Sequence, residues 1–105
     1  MTWAPITNTN NTPEISMTWV KSNWPSEDFQ LVDCREQHEW DAGHIEGAIF
    51  VPLSQWDQHA QQIDPNKPIV VYCRSGVRSM RATNYLIQQG HQAASMIGGY
   101  MAYQG

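Results

Sequence analysis

Short apolar runs alternate with helix-like segments along this 105-residue chain, and this alternation constrains its fold more than any other feature. Four runs have the length of buried strands, at residues 29–33, 48–51, 69–72 and 92–97. Strands that alternate with helices and are joined by short loops form a mostly parallel sheet with helices on both faces. A chain of this length holds one ordinary domain. We therefore predict a single α/β domain of three layers.

Charge and composition exclude several classes of function. Six Lys and Arg stand against ten Asp and Glu, a formal net charge of -4, so no basic face is expected to bind nucleic acid. No apolar run reaches the roughly 18 residues that cross a bilayer. Two cysteines do not make a disulfide framework, and the four histidines lack the pair spacing of a zinc site. We expect no membrane span, no metal and no cofactor.

The first 13 residues are polar and rich in Asn and Thr. Such a segment has almost nothing to bury, and its side chains offer the backbone local hydrogen bonds. We predict that residues 1–13 are a flexible lead-in and that residues 14–105 form the domain. The segment has neither the basic start nor the apolar stretch of a secretory signal, so we expect a cytoplasmic location.

One thiol lies at a predicted strand-to-helix turn. The apolar run 69–72 ends at Cys73, and an amphipathic helix is predicted over residues 77–89, with Gly90 as its stop. Such a turn directs backbone N–H groups and the positive end of the helix dipole at an anion, and Arg74 and Arg78 add positive charge. Cys73 is therefore a candidate nucleophile of low pKa, with residues 73–78 as its pocket. The carboxyl end of a parallel strand is also where open α/β sheets bind ligands.

The predicted helix over residues 77–89 should bury a face of small side chains. The residues spaced i, i+3, i+4 and i+7 on that face are Ser79, Ala82, Thr83 and Leu86. Small side chains let a helix lie close to a sheet, which would hold the start of this helix against the end of the preceding strand.

Three motifs, in order, resemble the single-domain rhodanese family. The first is Leu-Val-Asp-Cys-Arg-Glu at 31–36, and the second is Glu-Trp-Asp-Ala-Gly-His-Ile-Glu-Gly-Ala at 39–48. The third is Cys-Arg-Ser-Gly-Val-Arg-Ser at 73–79, followed by a Gly-Gly pair and an aromatic ending from residue 98. The resemblance covers roughly residues 14–105. It implies the rhodanese-like fold, a mostly parallel five-stranded sheet with helices on both faces.

The resemblance also implies sulfurtransferase chemistry. Cys73 would accept sulfane sulfur from thiosulfate or a persulfide donor and pass it to cyanide or a thiol acceptor, either a small molecule or a protein. Arg74 or Arg78 would attract an anionic donor, and Asp33 and Arg35 would support the site. The backbone amides that would hold the sulfur anion belong to Arg74, Ser75, Gly76, Val77, Arg78 and Ser79.

Several side chains near these motifs could have either a structural role or a role in chemistry. Cys34 is expected to be a small apolar filler, and a second redox role would require it to approach Cys73. Asp33, Arg35 and Glu36 are expected to hold loops rather than to act as acid and base. His44 is expected to make a structural hydrogen bond.

Two other functions compete with sulfur transfer. One is phosphatase or arsenate-reductase chemistry, because cell-cycle dual-specificity phosphatases are similar in fold. Their Cys-x5-Arg loop surrounds a tetrahedral oxyanion, whereas here four residues separate Cys73 from Arg78. The shorter loop suits a single sulfur. A non-catalytic docking or regulatory module would keep the fold but would be expected to lack the nucleophile.

Overall fold

A twisted sheet of six strands forms the centre of the molecule. The computed structural model describes residues 6–7 and 13–104. The strands are β1 (Ile6–Thr7), β2 (Pro13–Ile15), β3 (Gln30–Asp33), β4 (Ile49–Phe50), β5 (Ile69–Tyr72) and β6 (Ala93–Met96). They lie in the order β1-β2-β6-β5-β3-β4, and β2, β6, β5, β3 and β4 are mutually parallel. The predicted parallel five-stranded sheet is confirmed, and β1 adds an antiparallel strand at one edge.

Helices cover both faces of the sheet, which gives the three predicted layers. The helices are α1 (Met17–Asn23), α2 (Gln37–Ala42), α3 (Trp56–His59), α4 (Val77–Gln88) and α5 (Gly99–Gln104). Side chains of a strand alternate between faces, so Val32 and Val71 pack under α4 while Leu31 and Val70 face the opposite side, toward α1. The two apolar clusters therefore hold the helical layers onto a sheet that is buried on both sides.

Helix α4 has the predicted register. Its buried residues are Ser79, Ala82, Thr83 and Leu86, the four that the sequence pattern placed on the inner face. Gly90 follows the helix with φ +93°, a left-handed conformation that glycine adopts without strain. The small inner face lets α4 contact both β5 and β6, so the start of the helix is fixed beside the end of β5.

The structure departs from the sequence-based prediction in three segments. Within the predicted lead-in, Ile6–Thr7 pairs with Pro13 and Glu14, and the rest of 1–12 lies outside the described residues. The polar spacing of residues 53–62 predicts one helix, but the structure divides this segment into two 3₁₀ turns, Leu53–Gln55 and Ala60–Gln62, around α3. The aromatic ending, for which no helix was predicted, forms α5. No helix in the described part of the chain has the length and apolar character needed to cross a membrane.

Candidate active site

Cys73 lies at the carboxyl end of β5, beneath the loop that leads into α4. The residue is 1% exposed, and its sulfur accepts a hydrogen bond from the Gly76 N–H at 3.1 Å. Gly76 caps the start of α4 with φ +115°, a left-handed conformation that directs its amide back toward the sulfur and that favours glycine. The predicted strand-to-helix turn around Cys73 is present.

Two buried hydroxyls extend this contact into the core. The Cys73 sulfur lies 3.4 Å from Ser79 Oγ, and Ser79 Oγ lies 2.8 Å from Ser95 Oγ on β6. The neutral thiol donates to Ser79, whereas a thiolate accepts from the Ser79 hydroxyl while Ser95 donates to Ser79. Ser95 is not among the site residues predicted from the sequence. The signal that was available is a polar residue in an otherwise apolar buried strand.

A second thiol lies beside Cys73. Asp33 pairs with Tyr72 across β3 and β5, and the Cys34 N–H then donates to the Tyr72 carbonyl at 3.1 Å. The ladder thus continues by one residue and brings Cys34 next to Cys73. Both sulfurs belong to the same buried apolar cluster. Cys34 is buried, as expected for a residue that fills space in the core. It also lies close to Cys73, which a redox role would require.

The pKa values of the two thiols move in opposite directions. The pKa of Cys73 is lowered, first by hydrogen bonding to Cys34 and then by the hydroxyl and amide of Ser79 and the amide of Gly76, while burial opposes the change. The pKa of Cys34 is raised by its contact with Cys73, by burial and by the negative charge of Cys73. Cys73 is therefore the thiolate of the pair, and Cys34 retains its proton.

The two arginines of the loop have different environments. Arg78 makes a bidentate ion pair with Glu39 on α2, at 2.6 and 2.8 Å, and this contact lowers the pKa of Glu39 to about 2. Arg78 thus ties α4 to α2, and its charge is already paired. Arg74 is exposed, and in the described part of the chain its guanidinium makes no ion pair. It borders a cavity of about 240 Å³ that also contacts Tyr100.

Asp33 and Arg35 form a buried ion pair with each other. Neither side chain is among the described hydrogen-bond partners of the Cys73 sulfur. The Arg35 Nη2 donates to Asp33 Oδ2 at 2.7 Å and to the Gly43 carbonyl at 2.7 Å. The guanidinium also lies over the rings of Tyr100 and Tyr72, at 4.5 and 5.5 Å from their centroids. Both side chains are thus held by contacts within the fold, and their supporting role at the site stays a prediction.

Glu36 and His44 also make structural contacts. Glu36 forms a capping box with Glu39 at the start of α2 and accepts a hydrogen bond from Ser54. His44 stacks on Trp40 with a centroid distance of 3.5 Å, and its Nδ1 lies 2.9 Å from the Trp40 carbonyl oxygen. Neither residue has a hydrogen bond to the Cys73 sulfur among the described contacts.

Helix α5 supports the loop from behind. The Tyr100 N–H donates to the Cys73 carbonyl at 2.8 Å, and the Met101 N–H donates to the Arg74 carbonyl at 3.0 Å. Gly99 has φ +61°, and a Cβ atom there would lie 2.5 Å from the Arg74 carbonyl oxygen. A glycine is therefore required for this close approach between the start of α5 and the loop.

A larger cavity lies away from the sulfur. It has a volume of about 580 Å³ and is formed between residues 53–57 and α4, where Trp56, Arg81 and Tyr85 line it. Cys73 does not border it. Among residues 13–104, no three side chains of the His, Cys, Asp and Glu types are grouped as a bound metal ion would require. The Cys73 sulfur itself is contacted by the N–H of Gly76 and the hydroxyl of Ser79.

The fold is shared with known proteins. The rhodanese-like domain family matches residues 16–105. The chain belongs to the rhodanese-like family. It is 40% identical over 77 residues to the uncharacterized protein YqhL of Bacillus subtilis, covering 72% of this chain and 61% of YqhL. It is 35% identical to the putative sulfurtransferase YtwF of the same organism, covering 88% of this chain and 90% of YtwF.

Two further proteins similar to this chain are named as sulfurtransferases. The thiosulfate sulfurtransferase GlpE of Coxiella burnetii is 28% identical, with 73% of each chain covered. The solved structure of the human single-domain sulfurtransferase TSTD1 superposes with a TM-score of 0.72 at 27% identity, covering 87% of this rhodanese-like chain and 94% of TSTD1. These similarities support a sulfurtransferase-like role and the predicted rhodanese-like fold.

Proposed function

We propose that this rhodanese-like protein is an enzyme that transfers sulfane sulfur through a persulfide on Cys73. The observation that carries the proposal is the environment of the Cys73 sulfur, which accepts from the Gly76 amide and contacts the Ser79 hydroxyl in a loop closed after four intervening residues. Its lowered pKa provides the thiolate at neutral pH. The same donors would stabilise the negative charge of the terminal persulfide sulfur.

The proposed reaction has two steps. The Cys73 thiolate attacks the outer sulfur of thiosulfate, the sulfur–sulfur bond of the donor breaks, and sulfite leaves with the electron pair. Cyanide or a thiolate acceptor then attacks the outer sulfur of the persulfide, and the Cys73 thiolate leaves. With cyanide the product is thiocyanate; with a thiol it is a new persulfide. Thiosulfate is proposed as donor because GlpE carries it in its name.

Arg74 is proposed to attract the anionic donor. Its side chain is exposed beside Cys73, whereas the guanidinium of Arg78 is engaged by Glu39. The sequence alone does not distinguish between the two arginines in this role. Since a charge that is already paired attracts an incoming anion less strongly, the ion pair of Arg78 favours Arg74.

The proposal is tested by thiocyanate formation from thiosulfate and cyanide. We expect turnover by the wild type, a mass increase of one sulfur after exposure to thiosulfate alone, and neither in Cys73→Ser. Asn84→Ala, an exposed change on the same helix, should leave both unchanged. Absence of both signals in the wild type, or turnover by Cys73→Ser, would refute the proposal.

Two further assays address the competing functions. Hydrolysis of an aryl phosphate that depends on Cys73 would favour a phosphatase. A wild-type thiol that reacts with iodoacetamide at neutral pH no faster than free cysteine, together with no thiocyanate, would favour a docking module.

A further inference from the structure

Cys34 has a position that the proposed sulfur transfer does not use. It follows β3 directly, and its pairing through the Tyr72 carbonyl makes it the cross-strand neighbour of Cys73. Adjacent strands lie about 4.8 Å apart. A disulfide requires Cα atoms about 4.4 to 6.8 Å apart. The backbone spacing therefore falls within the range that a disulfide needs.

The side chains of the two cysteines also lie on the same face of the sheet. Alternation along β3 and β5 directs Val32, Cys34, Val71 and Cys73 into the cluster under α4, while their neighbours face the other cluster. Both thiols are free. Two thiols side by side, one of them directly after the end of its strand, need only side-chain rotation and a small shift to join.

The charges of the pair suit a reaction in which Cys73 acts first. Cys73 carries the negative charge, because hydrogen bonding to Cys34, Ser79 and Gly76 lowers its pKa. Cys34 is held as a neutral thiol partly by that same charge, which raises the pKa of Cys34. Once Cys73 is converted to an uncharged derivative, this repulsion is lost and Cys34 gives up its proton more readily.

We propose that Cys34 is a resolving thiol, which closes a Cys34–Cys73 disulfide after a peroxide has oxidised Cys73. In the first step the Cys73 thiolate attacks one oxygen of hydrogen peroxide, the O–O bond breaks and hydroxide leaves, so that sulfur is oxidised to sulfenic acid and peroxide is reduced. In the second step the Cys34 sulfur attacks the sulfenic sulfur. The S–O bond breaks, and the leaving hydroxyl takes the Cys34 proton and departs as water.

The persulfide of the proposed function is not resolved in the same way. Its outer sulfur is an anion whose charge repels an approaching Cys34 thiolate, and an attack on the inner sulfur would have to expel the outer sulfur as hydrosulfide after it takes the Cys34 proton. The donors around Cys73 also stabilise the anion where it is. The disulfide is therefore a modification of the empty, oxidised site, and it protects Cys73 from irreversible oxidation to sulfinic acid.

The test compares wild type with Cys34→Val after treatment with hydrogen peroxide in slight excess. We expect the intact wild type to become two hydrogens lighter, with Cys34 and Cys73 in one cross-linked peptide, and dithiothreitol to restore both thiols. In Cys34→Val we expect Cys73 to gain two oxygens irreversibly and to be trapped by dimedone at the sulfenic stage. Thermal unfolding checks that the variant is folded, and Cys34→Ala provides a second variant that cannot be overpacked.

The result that would overturn the proposal is equally specific. A wild type that gains oxygens as the Cys34 variants do, with the Cys34 thiol still open to alkylation after unfolding, excludes a resolving role. A disulfide found only between molecules excludes it as well. The outcome does not depend on sulfur transfer, because the oxidised protein is read by mass and not by thiocyanate formation.

Discussion

The state of one residue, Cys73, depends on donors from three parts of the chain. The Gly76 amide comes from the loop, the Ser79 hydroxyl from α4, and the Cys34 thiol from the segment after β3. Ser95 on β6 completes the set, because it leaves the Ser79 hydroxyl free to donate to the thiolate. Hydrogen bonds to the charged form favour it, and burial opposes it. The donors outweigh burial here, so the pKa of Cys73 is lowered.

Removal of the Ser79 hydroxyl should therefore raise the pKa of Cys73. A hydrogen bond to a charged group contributes about 1.5 to 3 kcal/mol, so the midpoint of the pH dependence of iodoacetamide alkylation should rise by about one to two pH units in Ser79→Ala. The wild-type midpoint should lie below the value of about 8.5 for a free thiol. Since the thiolate reacts, the variant should be slower below its midpoint and equal to the wild type at high pH.

Ser75→Ala is the matched control for this change. Ser75 lies in the same loop but is exposed, and its side chain makes no hydrogen bond to the Cys73 sulfur among the described contacts. Its alkylation midpoint should equal that of the wild type. Equal midpoints in wild type and Ser79→Ala would show that the Ser79 hydroxyl does not stabilise the thiolate.

The role proposed for Arg74 predicts a change in KM. An exposed charge contributes up to about 1 kcal/mol, so Arg74→Ala should raise the KM for thiosulfate about three- to fivefold with kcat unchanged. The difference should disappear in about 1 M salt, where charges are screened within about 3 Å. Arg81→Ala removes another exposed arginine, on α4, and should change KM less than about twofold. An equal effect of both substitutions would show a contribution of net charge alone.

At the scale of elements, the loop is held between two helices. The end of the loop is joined to α4 at Gly76, the residue that caps this helix. The start of the loop is held by α5, which donates hydrogen bonds to the carbonyls of Cys73 and Arg74. A carbonyl fixed in this way fixes the peptide planes on either side of Cys73. The geometry around the sulfur is thus set jointly by an element that follows it directly and by one that follows it about 25 residues later.

The contact with α5 makes Gly99→Ala a sensitive substitution. The new methyl group would lie 2.5 Å from the Arg74 carbonyl oxygen at a residue with φ +61°, so either the loop or α5 must move. We expect a loss of about 2 to 5 kcal/mol in the free energy of unfolding, measured with urea. Alkylation of Cys73 should also slow, because the loop amides lose their alignment.

Gly90→Ala is the control that distinguishes the effect of backbone strain from the effect of the steric contact with the loop. Gly90 also has a positive φ, +93°, but a Cβ atom there would have no neighbour within 4 Å. We expect a loss of about 1 to 2 kcal/mol and no change in Cys73 alkylation. If Gly99→Ala behaves like Gly90→Ala in both measurements, α5 does not position the loop.

The two helices differ in how far the sequence predicts them. The inner face of α4 follows from the spacing of Ser79, Ala82, Thr83 and Leu86, since periodicity is a local property. Helix α5 is six residues long, and its first amides bond to carbonyls of the active-site loop rather than within a longer helix. A helix that short is stabilised by such tertiary contacts, which no local pattern records.

At the scale of the molecule, the Asp33–Arg35 pair joins distant parts of the fold. It links the end of β3 to the Gly43 carbonyl after α2 and to the Tyr100 ring of α5. Both side chains are almost completely buried. Removal of one partner leaves a buried charge without compensation, which costs more than an exposed ion pair does.

Asp33→Asn should therefore lower the free energy of unfolding by about 3 to 5 kcal/mol, measured by urea denaturation. The double variant Asp33→Asn with Arg35→Met should recover part of the loss, because it removes the unpaired charge. Asp57→Asn alters an exposed carboxylate and should stay within about 0.5 kcal/mol of the wild type. A loss below about 1 kcal/mol for Asp33→Asn would mean that water or another group compensates Arg35.

Patterns within the chain were sufficient to predict the α/β class, the parallel sheet, the inner face of α4 and the position of Cys73 at the end of a strand. These depend on local periodicity and on turn residues, which are encoded within short windows. The partners of these residues depend on the tertiary structure, which brings Cys34 next to Cys73, Ser95 next to Ser79, Glu39 next to Arg78, and α5 next to the loop. Strand order and register bring these residues together over separations of up to 39 positions, and such contacts leave no local sequence signal.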